Sequence, residues 1–597
     1  MTGIFGVGSI RPSQLVSTFG PGSIYDNLDD SFLIMGTDSW NERNCKKLTD
    51  ETLLHYLKKS DPRRYASLIK FMVPISSNES DEQVAIRTFP KWGVCPECNM
   101  LQRRNYTGIG LKCRSTTCRG IDGTGRQPQT IPVRFIAACI NGHLDDFPWY
   151  HWVHRGTVDN CNENDARLYL EDGRHSSSLE SKTVRCTNCD RNENMAMSLS
   201  RNGLRFILPG GCRGRRPWLT TDDPDPCVDA NNEPVFLQGV YKGATNVYFP
   251  KTVRSITIPP FAGPQAERVI EKIEGTTLLT QTRDKLLNVW IPELFPEDDP
   301  MEILQIIDAL REKRTTSESP NIRADEFAAL NLKKFPNNGI DKGNFKTEPI
   351  ELPTGFSDHL DNLVLIRKLR EIVAMTGFYR LEPFGYSSND LRRISPVTNF
   401  PEELPRWLPA VENNGEGIFF SFKNGVISNW ADTPEVTQRF NEIISNNPNP
   451  ISSSDVEISQ KYIFLHTLSH LVIKEIANYA GYSVSSLRER IYCDDNMAGI
   501  LIYTSSPSSD GSLGGLVEQG KKPKFNIILQ KALRKSRLCS MEPLCSFARL
   551  GTGNKTNGSA CHACLYLPET SCESMNNLLD RAFVQNTLSG EIGLFAY

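Results

Sequence analysis

Seventeen cysteines punctuate this chain, and most stand in near pairs, the arrangement that lets a short turn offer two thiolates to one metal ion. Cys95 and Cys98 form a Cys-x-x-Cys turn, and Cys113 and Cys118 follow where a hairpin would bring them back to close a tetrahedral four-sulfur site. Redox use of such a turn needs one pair at a helix start, whereas Pro96, Arg114 and Gly120 read as loop. Cys186 and Cys189 are expected to form a second site with Cys212 and Cys227, around the turn-forming Gly210, Gly211 and Gly214. Cys161 is an alternative ligand there, and a single pair beside two unrelated free cysteines is the competing reading. Cys539, Cys545, Cys561 and Cys564 bracket a glycine-rich loop and make a third site, with Cys572 or His562 in reserve.

About three zinc ions per chain are therefore expected, all structural, because a closed four-ligand site lacks the open position that metal catalysis requires. Cys45, Cys139, Cys161, Cys493 and Cys572 are left over as buried small hydrophobes or free thiols. An odd count gathered in clusters suits metal binding in a reducing compartment better than a disulfide framework.

His466 and His470 stand four apart, so on a helix both rings share a face. A hydrolytic zinc helix would carry Glu beside the first His, but Thr467 stands there, and the apolar surroundings favour satisfied core or interface histidines. Gly515 to Lys522 approaches a phosphate-binding loop, yet Lys522 replaces the hydroxyl that ligates magnesium and Pro523 follows at once. No second motor motif accompanies it. Asp510 to Gly515 could present backbone amides to a phosphate, or could simply pack as a tight turn. Lys521, Lys522, Lys524, Lys531, Arg534, Lys535 and Arg537 form a basic stripe, and Arg213, Arg215 and Arg216 form a smaller one beside Trp218. Both are candidate DNA-phosphate contacts, weighed against the ordinary role of a solvated charged face.

The elements that must position these groups read as an α+β protein of several parts. Residues 1–90 form an N-terminal α/β region, with a helix expected from Asp50 to Phe71. Residues 91–260 form a zinc-rich region of small β modules holding two four-cysteine sites, with strands near Thr130 to Ile136 and Val253 to Ile258. Residues 261–354 are helical from Gln265 to about Asn331 and end in a polar linker from Asn337 to Thr347. Residues 355–597 are expected to be a mixed α/β domain with the third site. Its expected elements are helices over Leu363 to Met375, Lys461 to Ala480 (ended by Gly481) and Asn526 to Arg537, and strands over Gly417 to Phe422 and Gly499 to Tyr503.

At 597 residues, 39% hydrophobic and 23% charged, the chain has enough apolar material for a sizeable core, and collagen, coiled coil and general disorder are excluded. No run approaches the roughly 18 apolar residues of a bilayer crossing and no signal peptide is visible, so a soluble, cytoplasmic protein without membrane contact is expected. A net charge of -3 gives no general attraction to nucleic acid, so DNA binding would have to come from a local patch.

Several segments carry a resemblance. Ile10 to Leu15 with Phe19 to Gly22, Cys139 to Trp149, Gly377 to Pro383, Gly415 to Ile418, His466 to His470, and Gly511 to Leu516 with Cys561 to Cys564 resemble the DrmB family of the bacterial anti-phage system DISARM. The later half is similar to the C-terminal domain of MrfA-type helicases. The resemblance spans essentially the whole chain. It implies a helicase partner, DrmA, with which such proteins form a DNA-sensing core, and it implies no catalytic residue. The expected function is a non-catalytic accessory subunit that docks on this helicase and helps bind or sense foreign DNA. The rivals are a metal-dependent hydrolase built on His466 and His470 with Glu412 or Glu416, and a scaffold that touches only protein.

Overall fold

The computed structural model describes residues 10–595 apart from 28–29, 75–83, 105–110, 119, 121–126, 156–160, 174–177, 209, 223–226, 274–275, 317–319, 333–338, 383–392, 401–403, 446–455, 506–513 and 549–555. An eight-stranded sheet draws on every part of it: β1 (Cys45–Leu48), β2 (Lys70–Pro74), β3 (Phe249–Ile256), β4 (Lys346–Ile350), β5 (Leu360–Tyr379), β6 (Trp407–Phe422), β7 (Leu487–Cys493) and β8 (Ala498–Thr504). The order is β3-β5-β6-β8-β7, antiparallel throughout, with β4 antiparallel to β5 and β2 parallel to β6. All four stretches drawn from composition thus supply strands to one sheet.

The helix expected over Leu363 to Met375 is instead the middle of β5. Leu363 and Leu365 pack into one apolar cluster, Val364 and Ile366 into another, and Ile372 to Met375 into a third. A strand covered on both faces loses its period-two signature, and its continuous apolar run imitates a buried helix. The pair Arg367-Lys368 is exposed at a register shift between Ile366 and Leu369.

Helix α1 (Glu51–Ser60) begins on the Asp50 carboxylate, which accepts from the Leu53 amide at 2.8 Å, and stops short of the expected Phe71 because β2 starts at Lys70. The short α2 (Trp149–His154) carries a histidine into the cysteine-rich region, and α3 (Ile322–Leu330) lies against the large sheet. Helices Pro264–Ile273 and Pro300–Thr315 enclose an apolar cluster of their own.

The long α4 (Gln460–Ala480) is buried along most of its length between the sheet, α5 (Lys524–Ser536) and the C-terminal tail. Ser459 caps its start, and Gly481 ends it in the left-handed conformation at φ 75°. Open space surrounds the position a Gly481 side chain would take, so Gly481→Ala is expected to cost only the backbone term, about 1 kcal/mol by urea denaturation.

Two of the smaller sheets frame the cysteines between Cys95 and Cys227. One is six-stranded, from Asn192–Asn194 through Thr183–Cys186, Leu168–Glu171, Met100–Arg103 and Trp92–Val94 to Ile131–Pro132. The other joins Leu144–Asp146, Phe135–Ala138 and Gln238–Tyr241. No helix among the described residues is long and apolar enough to cross a membrane.

Candidate metal centres

The hairpin between strands Trp92–Val94 and Met100–Arg103 folds the first turn, with the Cys95 amide donating to the Met100 carbonyl at 3.0 Å and Asn99 left-handed at φ 60°. Cys113 and Cys118 reach it from the following loop. All four sulfurs lie within 4.8 Å of one another, with Cys95 to Cys118 at 3.8 Å and Cys98 to Cys113 at 3.6 Å. Zn–S bonds of about 2.3 Å set tetrahedral sulfurs about 3.8 Å apart, so these spacings fit one zinc ion and are far longer than a disulfide.

The four cysteines expected together as the second site do not converge. Two separate clusters take them, each completed by a cysteine and a histidine. Cys186 and Cys189 meet Cys161 and His154, with Cys161 to Cys186 at 3.7 Å and His154 Nε2 to Cys189 Sγ at 3.2 Å. His154 Nδ1 lies 2.7 Å from the Tyr150 carbonyl, which can only accept, so the proton sits on Nδ1 and the Nε2 lone pair faces the sulfurs. Cys212 and Cys227 meet Cys139 and His143 at the turn between Phe135–Ala138 and Leu144–Asp146. Cys139 is 3.9 Å from Cys227 and 3.4 Å from His143 Nδ1, and Asn141 Nδ2 donates to Cys227 at 3.2 Å.

The physical reason for the split is topological: the hairpin ending in Cys186 sits beside Cys161 and the end of α2, whereas Cys212 and Cys227 lie against the other small sheet. Cys139-Ile-Asn-Gly142-His143 carries a local signal, a tight turn with Gly142 at φ 81° between two potential ligands. His154 has no ligand within four residues of it.

The last cluster gathers as expected in space: Cys539 to Cys561 at 3.5 Å, Cys545 to Cys564 at 3.8 Å and Cys561 to Cys564 at 3.7 Å. Amides of Ser115, Gly214, Met541 and Cys561 donate to sulfurs at 3.3 to 3.4 Å across three of these clusters, which favours the thiolate. Burial pushes the Cys95 and Cys186 thiols up, but turn amides and neighbouring thiols outweigh it and hold both below the ordinary value. The Cys227 thiol is drawn far down, chiefly by hydrogen bonding with Cys139.

His466 and His470 share a face of α4, as their spacing requires, and meet Glu489 of β7 and Cys572. Neither Glu412 nor Glu416 joins them. Glu412 pairs with Arg370 at 3.0 Å, and Glu416 accepts from the Leu516 amide at 2.7 Å.

The basic stripe is partly neutralised by acids, two of them distant in sequence. Lys535 pairs with Glu475 at 2.5 Å, Lys522 with Glu351 at 3.1 Å, and Lys521 with Glu518, while Lys531 lies over the Tyr479 ring. Arg534 and Arg537 are exposed and form no ion pair among the described residues. The next turn exposes Leu538, Met541, Leu544 and Phe547, each at least 50% accessible. Of the smaller group, Arg215 pairs with Asp222 at 2.8 Å and only Arg213 is exposed. Trp218 is fully buried, its Nε1 donating to the Pro396 carbonyl, and so cannot stack on a base. Residues 510–513 of the glycine loop lie outside the described residues, as do residues 549–555 of the loop between Cys545 and Cys561.

Comparison with known proteins bears on the last of these cysteine clusters and on the chain as a whole. The "DISARM protein DrmB" of Bacillus paralicheniformis (strain ATCC 9945a / NCIMB 11709 / CD-2) is 30% identical over 613 residues, covering 96% of this chain and 99% of that protein. The chain belongs to the DrmB family. Within this family member, residues 11–249 match a domain of unknown function, DUF8724, and residues 468–565 match the MrfA Zn-binding domain, which spans the last cysteine cluster. A crystal structure of the DUF1998 helicase MrfA bound to DNA aligns over 40% of this chain and 25% of its own at 11% identity, with a TM-score of 0.19, too slight to set the folds side by side.

Proposed function

We propose that this DrmB-family chain is a non-catalytic subunit of a DISARM anti-phage complex, folded around four structural zinc ions, that docks on the DrmA helicase and helps hold or sense foreign DNA. The match to a DISARM protein over nearly the full length of both chains carries the reading. The metal count rises from the three expected to four because the second group of cysteines supplies two clusters. Each has four protein ligands and leaves no position for substrate.

Arg534 and Arg537, followed by the exposed apolar turn that the last cluster braces, support a macromolecular contact at this end of α5. The test is co-purification with the helicase, followed by DNA-binding and ATPase assays with and without this chain. Arg534→Ala with Arg537→Ala is expected to weaken DNA binding by the complex on every sequence and to lower the slope of log K against log salt by about two, one per lost phosphate contact. Unchanged binding and slope with assembly intact would reduce these arginines to a solvated face, and failed assembly would make them a docking surface.

A further inference from the structure

We infer that His466, His470, Glu489 and Cys572 form a fifth zinc site, separate from the four cysteine-rich clusters. The four ligand atoms lie within 4.8 Å of one another in the protein interior. Glu489 Oε1 is 3.1 Å from His466 Nε2 and 3.4 Å from His470 Nε2, and Cys572 Sγ is 3.2 Å from His466 Nε2.

His466 Nδ1 faces the Leu578 carbonyl at 3.2 Å and His470 Nδ1 faces the Leu565 carbonyl at 3.0 Å. A carbonyl only accepts, so both Nδ1 atoms carry hydrogen and a neutral ring turns its Nε2 lone pair toward the carboxylate and thiol. Two lone pairs facing a carboxylate repel it. Protonating both rings instead would bury two cations whose centroids are 4.5 Å apart. Protonating one ring alone leaves the other ring's Nε2 lone pair against the same buried carboxylate oxygen, at 3.1 Å for His466 or 3.4 Å for His470.

One divalent cation resolves this, because two neutral imidazoles, a carboxylate and a thiolate carry two negative charges and leave the buried site neutral. The surroundings are built for those anions. The amides of Ser574 and Asn576 donate to Cys572 Sγ at 3.4 and 3.2 Å, while Ser469 Oγ and the Glu573 amide donate to Glu489. Mixed nitrogen, oxygen and sulfur ligands in a closed set of four suit zinc in a structural role.

The test is anomalous diffraction across the zinc edge from crystals of the full chain, with native mass spectrometry of the same sample. A zinc peak between His466 and His470 is expected beside those of the cysteine clusters, and Cys572→Ala should lose that peak and one zinc ion while the others remain. Occupied cysteine clusters with nothing between the histidines would overturn the assignment, as would a peak that persists in Cys572→Ala. The wild-type map decides alone if the variant does not fold.

Discussion

Cys564→Ser is expected to yield a chain that is largely insoluble, or that purifies short of one zinc ion with its C-terminal third open to protease. A structural zinc contributes on the order of 10 kcal/mol to the segment it closes, against a whole-domain margin of about 5–15 kcal/mol. The consequence spreads beyond the loop. Arg581 is fully buried, and its guanidinium donates to Cys545 Sγ at 3.5 Å, the Ser536 carbonyl at 2.8 Å and Glu542 at 2.5 Å, so it joins the cluster to the end of α5 and the tail.

Four thiolates around one divalent ion leave two negative charges, and Arg581 with Lys474, which faces the His562 and Ala563 carbonyls, lies beside them. Without the ion the sulfurs take up protons, so those cations lose their counter-charge and the thiols repack. Cys45, half-exposed and outside every cluster, is the control: Cys45→Ser should stay within about 0.5 kcal/mol of wild type. Soluble yield, zinc-to-protein ratio and limited proteolysis read the difference. A Cys564→Ser chain that keeps its full zinc content and melts with the wild type would refute a structural role for this cluster.

The first and last cysteine clusters are legible in the sequence because each is made of neighbouring turns, so proximity along the chain stands in for proximity in space. Cys186 and Cys189 break that equivalence. Their remaining ligands come from the end of α2 and from Cys161, upstream of the pair, while Cys212 and Cys227 turn to a strand hairpin 73 residues before the first of them. Spacing rules pair what is adjacent, but sheet order chooses the partner.

The same limit separates the two histidine readings. A four-residue interval places His466 and His470 on one face, but nothing local announces Glu489 on β7 or Cys572 in the tail. Charge behaves likewise. The stripe from Lys521 to Arg537 has no acid between Lys521 and its end, yet Glu475 and Glu351 reach it from elements far away in sequence. Helix α4 is readable because its apolar run and its Gly481 terminator are local, and α5 because its apolar face is, whereas β5 is not because burial on both sides erases its alternation.

Arg380→Met is expected to destabilise the chain by about 3–5 kcal/mol, because it removes a donor shared by three buried carbonyls at once. The guanidinium donates to Gly142 at 2.9 Å, Val247 at 2.7 Å and Gly22 at 2.6 Å, and it lies over the rings of Trp218 and Phe378. Three of the segments that carry the family resemblance therefore meet at one side chain: the N-terminal Phe19 to Gly22, the Cys139 to His143 turn, and Gly377 to Pro383. Their shared task is packing. A Cβ on Gly142 would fall 1.9 Å from Ser395 Oγ, so the turn holding Cys139 and His143 is pressed against the loop after β5.

Burial lowers the Arg380 pKa to about 9, and the nearby Tyr248 and Cys139 oppose that shift. Three thiolates, one imidazole and a divalent zinc leave one negative charge, which is the sign Arg380 complements. The variant should thus lose metal selectively, releasing zinc from the Cys139 cluster to a chelator faster than from the other three, alongside a lowered urea midpoint. Arg380→Lys should fall between, since an ammonium cannot span all three carbonyls as the planar fork does. A methionine variant with wild-type denaturation and equal zinc release from every cluster would show that the three segments are held together by something other than this arginine.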